Sequence, residues 1–151
     1  MSNRTEKTND RQQIIELINA TYGWQDMQQW SRLEQNFVKH PYFDNQSLSG
    51  EAPAVVTNTS LISNMKRELT AYFYATKHFV RNLAVKVSGN RAKATTSVEK
   101  SHFVLDRSER YVWKVFGTYE FELVKKGGDW KIARMIFTLK DQSLRPVGSP
   151  A

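Results

Sequence analysis

The chain has 151 residues, enough for one domain with a single core, and its 40% apolar and 12% aromatic content excludes a disordered polymer. There is no cysteine, which excludes disulfides, thiolate metal sites and cysteine nucleophiles. The net charge of +7 comes from scattered lysines and arginines with no basic run beyond Lys125–Lys126, so no nucleic acid is expected as a partner.

The polar start lacks an apolar signal core, and no stretch nears the roughly 18 apolar residues that cross a bilayer. The expectation is a cytoplasmic protein with no membrane partner. Residues 1–9 and 142–151 read as flexible tails around a single domain over 10–141. Asp10 is a candidate N-cap, with Gln13 three residues on. Ile14, Ile18 and Tyr22 then recur at helical spacing, which predicts an amphipathic helix over 11–22 that Gly23 interrupts. A second short helix carries Trp30, Leu33 and Phe37 and stops before Pro41. Residues 45–58 read as loop. A third helix follows, with Ser60 as its expected cap and Ile62, Met65, Leu69, Tyr72 and Phe73 on one stripe.

The rest reads as strand. Thr76 to Val87 is rich in β-branched and aromatic residues and ends at the turn signal Ser88-Gly89-Asn90. Arg91 to Leu105 is a second long strand. In the third, Tyr111, Trp113, Val115, Gly117, Tyr119, Phe121 and Leu123 alternate with more polar residues. Gly127-Gly128-Asp129 turns the chain into a fourth strand, Trp130 to Leu139. Helices followed by a meander of long strands predict an α+β fold, with a twisted antiparallel sheet curling around a pocket closed by the helices.

Several segments resemble one family. Asp26 and Trp30, followed by Leu33 and Phe37, resemble the D-x-x-D-W-x-x-L opening of SnoaL-like domains in the NTF2-like superfamily, with Gln29 in place of the second Asp. His78 to Asn82 resembles the family's H-x-x-x-N strand, and Ser88-Gly89-Asn90-Arg91-Ala92 its glycine turn. Gly117 to Tyr119 and Gly127 to Ile132 resemble its closing hairpin. The resemblance covers 10–141 and implies an NTF2-like, cystatin-like cone.

Within the superfamily the site residues are most similar to those of the scytalone dehydratases, whose helix Asp and two strand histidines fall on Asp26, His78 and His102. The tyrosines that hold a carbonyl-polarising water there fall on Gln25 and Asn45, and a pocket serine and asparagine fall on Gly117 and Tyr119. The resemblance implies cofactor-free and metal-free dehydration, isomerisation or cyclisation of a ring or polyketide-like ketone. His78 would be the acid/base, Asp26 its partner and His102 an auxiliary group that orients the substrate or protonates the departing oxygen. Imidazole suits such work because it titrates near neutrality, and a neighbouring carboxylate raises its pKa.

The expected ligand is small and hydrophobic or aromatic, lined by Tyr22, Trp30, Tyr42, Asn82, Trp113 and Tyr119. Strand parity puts His78, Val80 and Asn82 on one face. Homo-oligomers (dimers or trimers) are implied through the outer sheet face around Phe116. Plainer readings stand beside these: Asp26 as a cap of the second helix, His78 as a core histidine, His102 at the surface, and the tryptophans as packing. A non-catalytic ligand carrier or assembly subunit is the rival function.

Overall fold

The computed structural model describes residues 4–148 and contains four helices and six strands in the order α1 (Arg4–Asp26), α2 (Trp30–Glu34), β1 (Phe37–Asp44), α3 (Gln46–Ser49), β2 (Ala54–Val55), α4 (Asn58–Tyr72), β3 (Ala75–Ser88), β4 (Arg91–Asp106), β5 (Glu109–Lys126) and β6 (Asp129–Pro146). One sheet holds all six strands in the order β2-β1-β6-β5-β4-β3. Every pairing is antiparallel except β1 with β6, which is parallel.

α1 buries Ile14, Ile18 and Tyr22, one residue every fourth position and hence one face. That face lies against the inner side of the sheet, chiefly on β3. Gly23 does not interrupt the helix. A helical glycine costs only about 1 kcal/mol, and packing of the neighbouring turns offsets it. The helix stops where Gln28 takes a left-handed φ of 57°. Its start lies earlier than predicted, at Arg4, so residues 4–9 are helical rather than a tail. Asp10 is therefore no cap. Its buried carboxylate accepts bonds from Lys125 Nζ at 2.9 Å and Trp130 Nε1 at 3.1 Å, which fastens the helix to β5 and β6.

Other boundaries shift for local reasons. Phe37 belongs to β1 rather than α2, and the expected loop contains α3 and β2. Thr57, not Ser60, caps α4, its hydroxyl accepting from the Ser60 amide at 3.1 Å. Tyr72 is 71% exposed, so the predicted stripe of α4 does not extend to it. β6 runs on to Pro146 because it pairs with the outer half of β5 as far as Tyr111, so residues 142–146 are strand rather than tail. The tails expected at residues 1–3 and 149–151 lie outside the described residues.

The alternation expected in β5 is present: Val115, Tyr119, Phe121 and Leu123 face the core while Glu120 and Glu122 are exposed. Register shifts interrupt the ladders at Arg81/Ala84, Phe116/Gly117 and Glu122/Leu123, where extra residues bend the strands. At Gly117 the bend brings backbones so close that an added Cβ would lie 2.3 Å from the Thr138 carbonyl oxygen and 2.5 Å from the Phe137 ring. Only glycine fits there. No helix among the described residues is long and apolar enough to cross a membrane.

Candidate active site

Three elements bring the site together on the inner face of the sheet. Asp26 ends α1, beside the first residues of β3. Its Oδ2 accepts the His78 amide at 2.8 Å, and its Oδ1 accepts the Thr76 hydroxyl at 2.9 Å and lies 2.5 Å from His78 Nδ1. The helix end is thus latched to strand backbone as well as to the imidazole, and Asp26 does not cap α2: the N-cap position is Gln29, with no side-chain cap bond. The His78 side chain is 3% exposed.

With the carboxylate accepting at Nδ1, the neutral imidazole carries its proton there and leaves Nε2 as a free lone pair. Burial pushes the His78 pKa down. Asp26 opposes this through its hydrogen bond and charge, Lys100 adds to it, and the balance lies below the ordinary 6.5. The expected upward shift from the carboxylate is therefore overruled by desolvation. At neutral pH His78 is an uncharged base.

His102 is buried on β4 rather than at the surface, its ring 6.5 Å from that of His78 and nearly perpendicular to it. The Trp113 and Phe73 rings pack tilted against it, with centroids 4.6 and 4.9 Å away. Its Nδ1 donates to the Trp113 carbonyl at 3.1 Å, so Nε2 is an acceptor. Burial and the neighbouring Lys100 and His78 push its pKa down to about 4, against the Trp113 hydrogen bond. In this tautomer the neutral ring faces a ligand hydroxyl with a lone pair and holds no proton at Nε2 to give.

The expected lining residues divide. Tyr22 is buried, with its ring 5.2 Å from His78 and 5.7 Å from Tyr119, and its hydroxyl has no hydrogen-bond partner. Tyr119 is buried beside it, and burial raises its phenol pKa far above the ordinary 10. Trp113 borders His102, and its indole N–H donates to Gln142 at 3.0 Å. Trp30 packs half-buried against the general core. Asn82 and Tyr42 are not part of the site. Asn82 sits in the β3 bulge with φ 55°, which resets strand parity: His78 and Val80 face inward, then Leu83, Val85 and Val87, and Asn82 is exposed. Tyr42 pairs in register with Arg134, whose guanidinium lies 4.2 Å from its ring, on the face opposite Met135 and Phe137.

Where the resemblance loses its water-holding tyrosines, Gln25 turns its amide to the Met65 sulfur at 3.5 Å, and the buried Asn45 Oδ1 has no partner. Lys100 was missed. It is the cross-strand neighbour of His78 and shares the inward face of β4 with Val98 and His102. Its ammonium donates to the Tyr119 hydroxyl at 3.0 Å and lies 3.8 Å from the Phe137 ring centroid. Burial pushes its pKa down to about 7. Counting strand parity through Val98 and His102 would have found it. A separate groove of about 630 Å³, lined by Lys86, Arg91, Lys93, Glu122 and neighbours, lies toward the other end of β3.

Structures of the same fold include the Kfla4162 protein of Kribbella flavida (22% identity, TM-score 0.84, covering 90% of this chain and 94% of that one). A scytalone-dehydratase-like protein of Novosphingobium aromaticivorans matches at 17% identity and TM-score 0.78, covering 97% and 99%. A type 2 hexachlorocyclohexane dehydrochlorinase, LinA, matches at 15% and 0.79, covering 98% and 95%. An NTF2-like protein with a cystatin-like fold, also from N. aromaticivorans, matches at 20% and 0.68. No curated protein matches. The SnoaL-like domain profile matches residues 6–136, nearly the whole described chain; with helices packed on a curved, mainly antiparallel sheet, the protein belongs to the SnoaL-like domain family and has the NTF2-like, cystatin-like fold.

Proposed function

We propose that this chain is a small-molecule lyase or isomerase of scytalone-dehydratase type, acting by side-chain acid–base chemistry on a cyclic or polyketide-like ketone. The observation that carries the reading is the buried His78–Asp26 pair, 2.5 Å between Nδ1 and Oδ1, with Asp26 also latched to the β3 backbone. Held this way, His78 presents Nε2 as a base. It takes a proton from the carbon beside the carbonyl, and Asp26 stabilises the imidazolium that forms. The same imidazolium then returns the proton to a departing hydroxyl, so one residue serves both half-reactions. The names of two structural neighbours, a dehydratase-like protein and a dehydrochlorinase, both denote eliminations, which supports the reaction class.

The test is a panel of ring ketones and β-hydroxy ketones with product analysis on the wild type and His78→Gln. Turnover falls by at least about 10²–10⁴ in the variant, with the melting temperature nearly unchanged. A fully active His78→Gln protein overturns the proposal. Saturable quenching of tryptophan fluorescence by panel members without any product points instead to a ligand carrier.

A further inference from the structure

The interior beside His78 gathers several hydrogen-bond donors, while its free acceptors, the Nε2 lone pairs of His78 and His102, are neutral. An ammonium has three donors, and Lys100 spends one of them on the Tyr119 hydroxyl. Tyr119, having accepted that bond, keeps its own O–H unspent. The Tyr22 hydroxyl is buried and unpartnered, on a ring that touches both Tyr119 and His78. No carboxylate among the described residues pairs with Lys100; the nearest site carboxylate, Asp26, is committed to His78 and Thr76. A buried cation flanked by idle hydroxyls is costly unless something brings negative charge to it.

We propose that Lys100, Tyr119 and Tyr22 form a receptor for one anionic oxygen, so that the ligand is an acidic phenol or a ketone bound through the oxygen that becomes its enolate. This rests in part on the reading of His78 as a base and supplies the electrophilic half of that reaction. The C–H electron pair moves into a new C=C bond, the carbonyl π electrons move onto the oxygen held by Lys100 and the tyrosines, and the proton goes to His78 Nε2. When the oxygen's electrons return, the C–OH bond breaks and the hydroxyl leaves as water with that proton. Lys100 thereby takes the place of the tyrosines whose positions are Gln25 and Asn45.

The probe is 4-nitrophenol, whose phenolate is yellow and whose neutral form is not, titrated at mildly acidic pH against the intact chain. Wild type binds the dye as phenolate and turns it yellow. Lys100→Met abolishes the colour and weakens binding about 10- to 100-fold, the range for losing a charged hydrogen bond. Tyr22→Phe, which keeps the packing, weakens binding several-fold and guards against a Lys100→Met protein that fails to fold. His78→Gln keeps the colour, so the receptor and the catalytic base are tested apart: loss of turnover without loss of colour supports both. Binding of the dye as neutral phenol, no binding by wild type, or colour retained in Lys100→Met and lost in His78→Gln each overturns the receptor, whatever the turnover results.

Discussion

At the scale of single residues the site is governed by desolvation. Three titratable groups share one dry region, and burial pushes each toward its neutral form: His78 below 6.5, His102 to about 4 and Lys100 to about 7. For activity, the acid limb of kcat/KM lies below pH 6.5, since His78 must lose its proton to act. Asp26→Asn, which loses the charge and sets an NH2 against either the His78 ring N–H or the His78 amide, lowers kcat by about 10² or more; a pH–rate profile of both proteins checks the two statements together. For stability, the lysine has its own sign. Its folded pKa is depressed from 10.5, so between about pH 7 and 10.5 the unfolded chain holds a proton that the folded chain gives up. Stability therefore rises with pH across that window, by up to about 1.4 kcal/mol per unit from this group. Lys100→Met flattens the rise, as urea unfolding at several pH values will show.

At the scale of elements, bulges and close approaches decide which residues face the site. The irregularity at Arg81/Ala84 turns a strand whose parity would have put Asn82 inside into one that puts Leu83 inside. Asn82 accepts the left-handed conformation that β-branched residues resist. Asn82→Gly is expected to be nearly neutral and Asn82→Val destabilising by about 1–2 kcal/mol, measured by thermal unfolding. The Gly117 contact acts the same way. Gly117→Ala forces Phe137 and the Thr138 backbone apart at a cost of about 1–3 kcal/mol. Because Phe137 covers both Lys100 and Tyr119, it also loosens the proposed receptor.

At the scale of the molecule, the helical layer is fixed to the sheet at both ends of α1, by Asp26 near its C-terminus and by Asp10 near its start. The Asp10 carboxylate is pushed up by burial, but bonds from Lys125 and Trp130 and the charge of Lys125 outweigh that and lower its pKa. Its folded value is depressed, so its contribution is present above the unfolded carboxylate pKa and is lost as pH falls through the folded value. Asp10→Ala leaves the Lys125 ammonium and the Trp130 N–H without this acceptor and costs about 2 kcal/mol. The loss appears at neutral pH and shrinks under acid, so denaturation midpoints at neutral and acid pH check it.

The linear order of residues determined a good deal by itself. Helical spacing in α1, alternation in β5 and the turn glycines specify α+β elements in chain order, because local backbone periodicity follows from which side chains avoid water. Asp26 and His78 stood out in another way, through their resemblance to the helix Asp and strand His of the scytalone dehydratases rather than through periodicity. What the sequence left open depended on neighbours brought from far along the chain. Whether Asp26 would cap a helix or clasp an imidazole, whether Asn82 or Leu83 faced inward, and whether Lys100 would be solvated or buried against Phe137 are questions of three-dimensional proximity. Only the folded sheet answers them, because desolvation and hydrogen-bond partners are set by the packed surroundings rather than by the residue that experiences them.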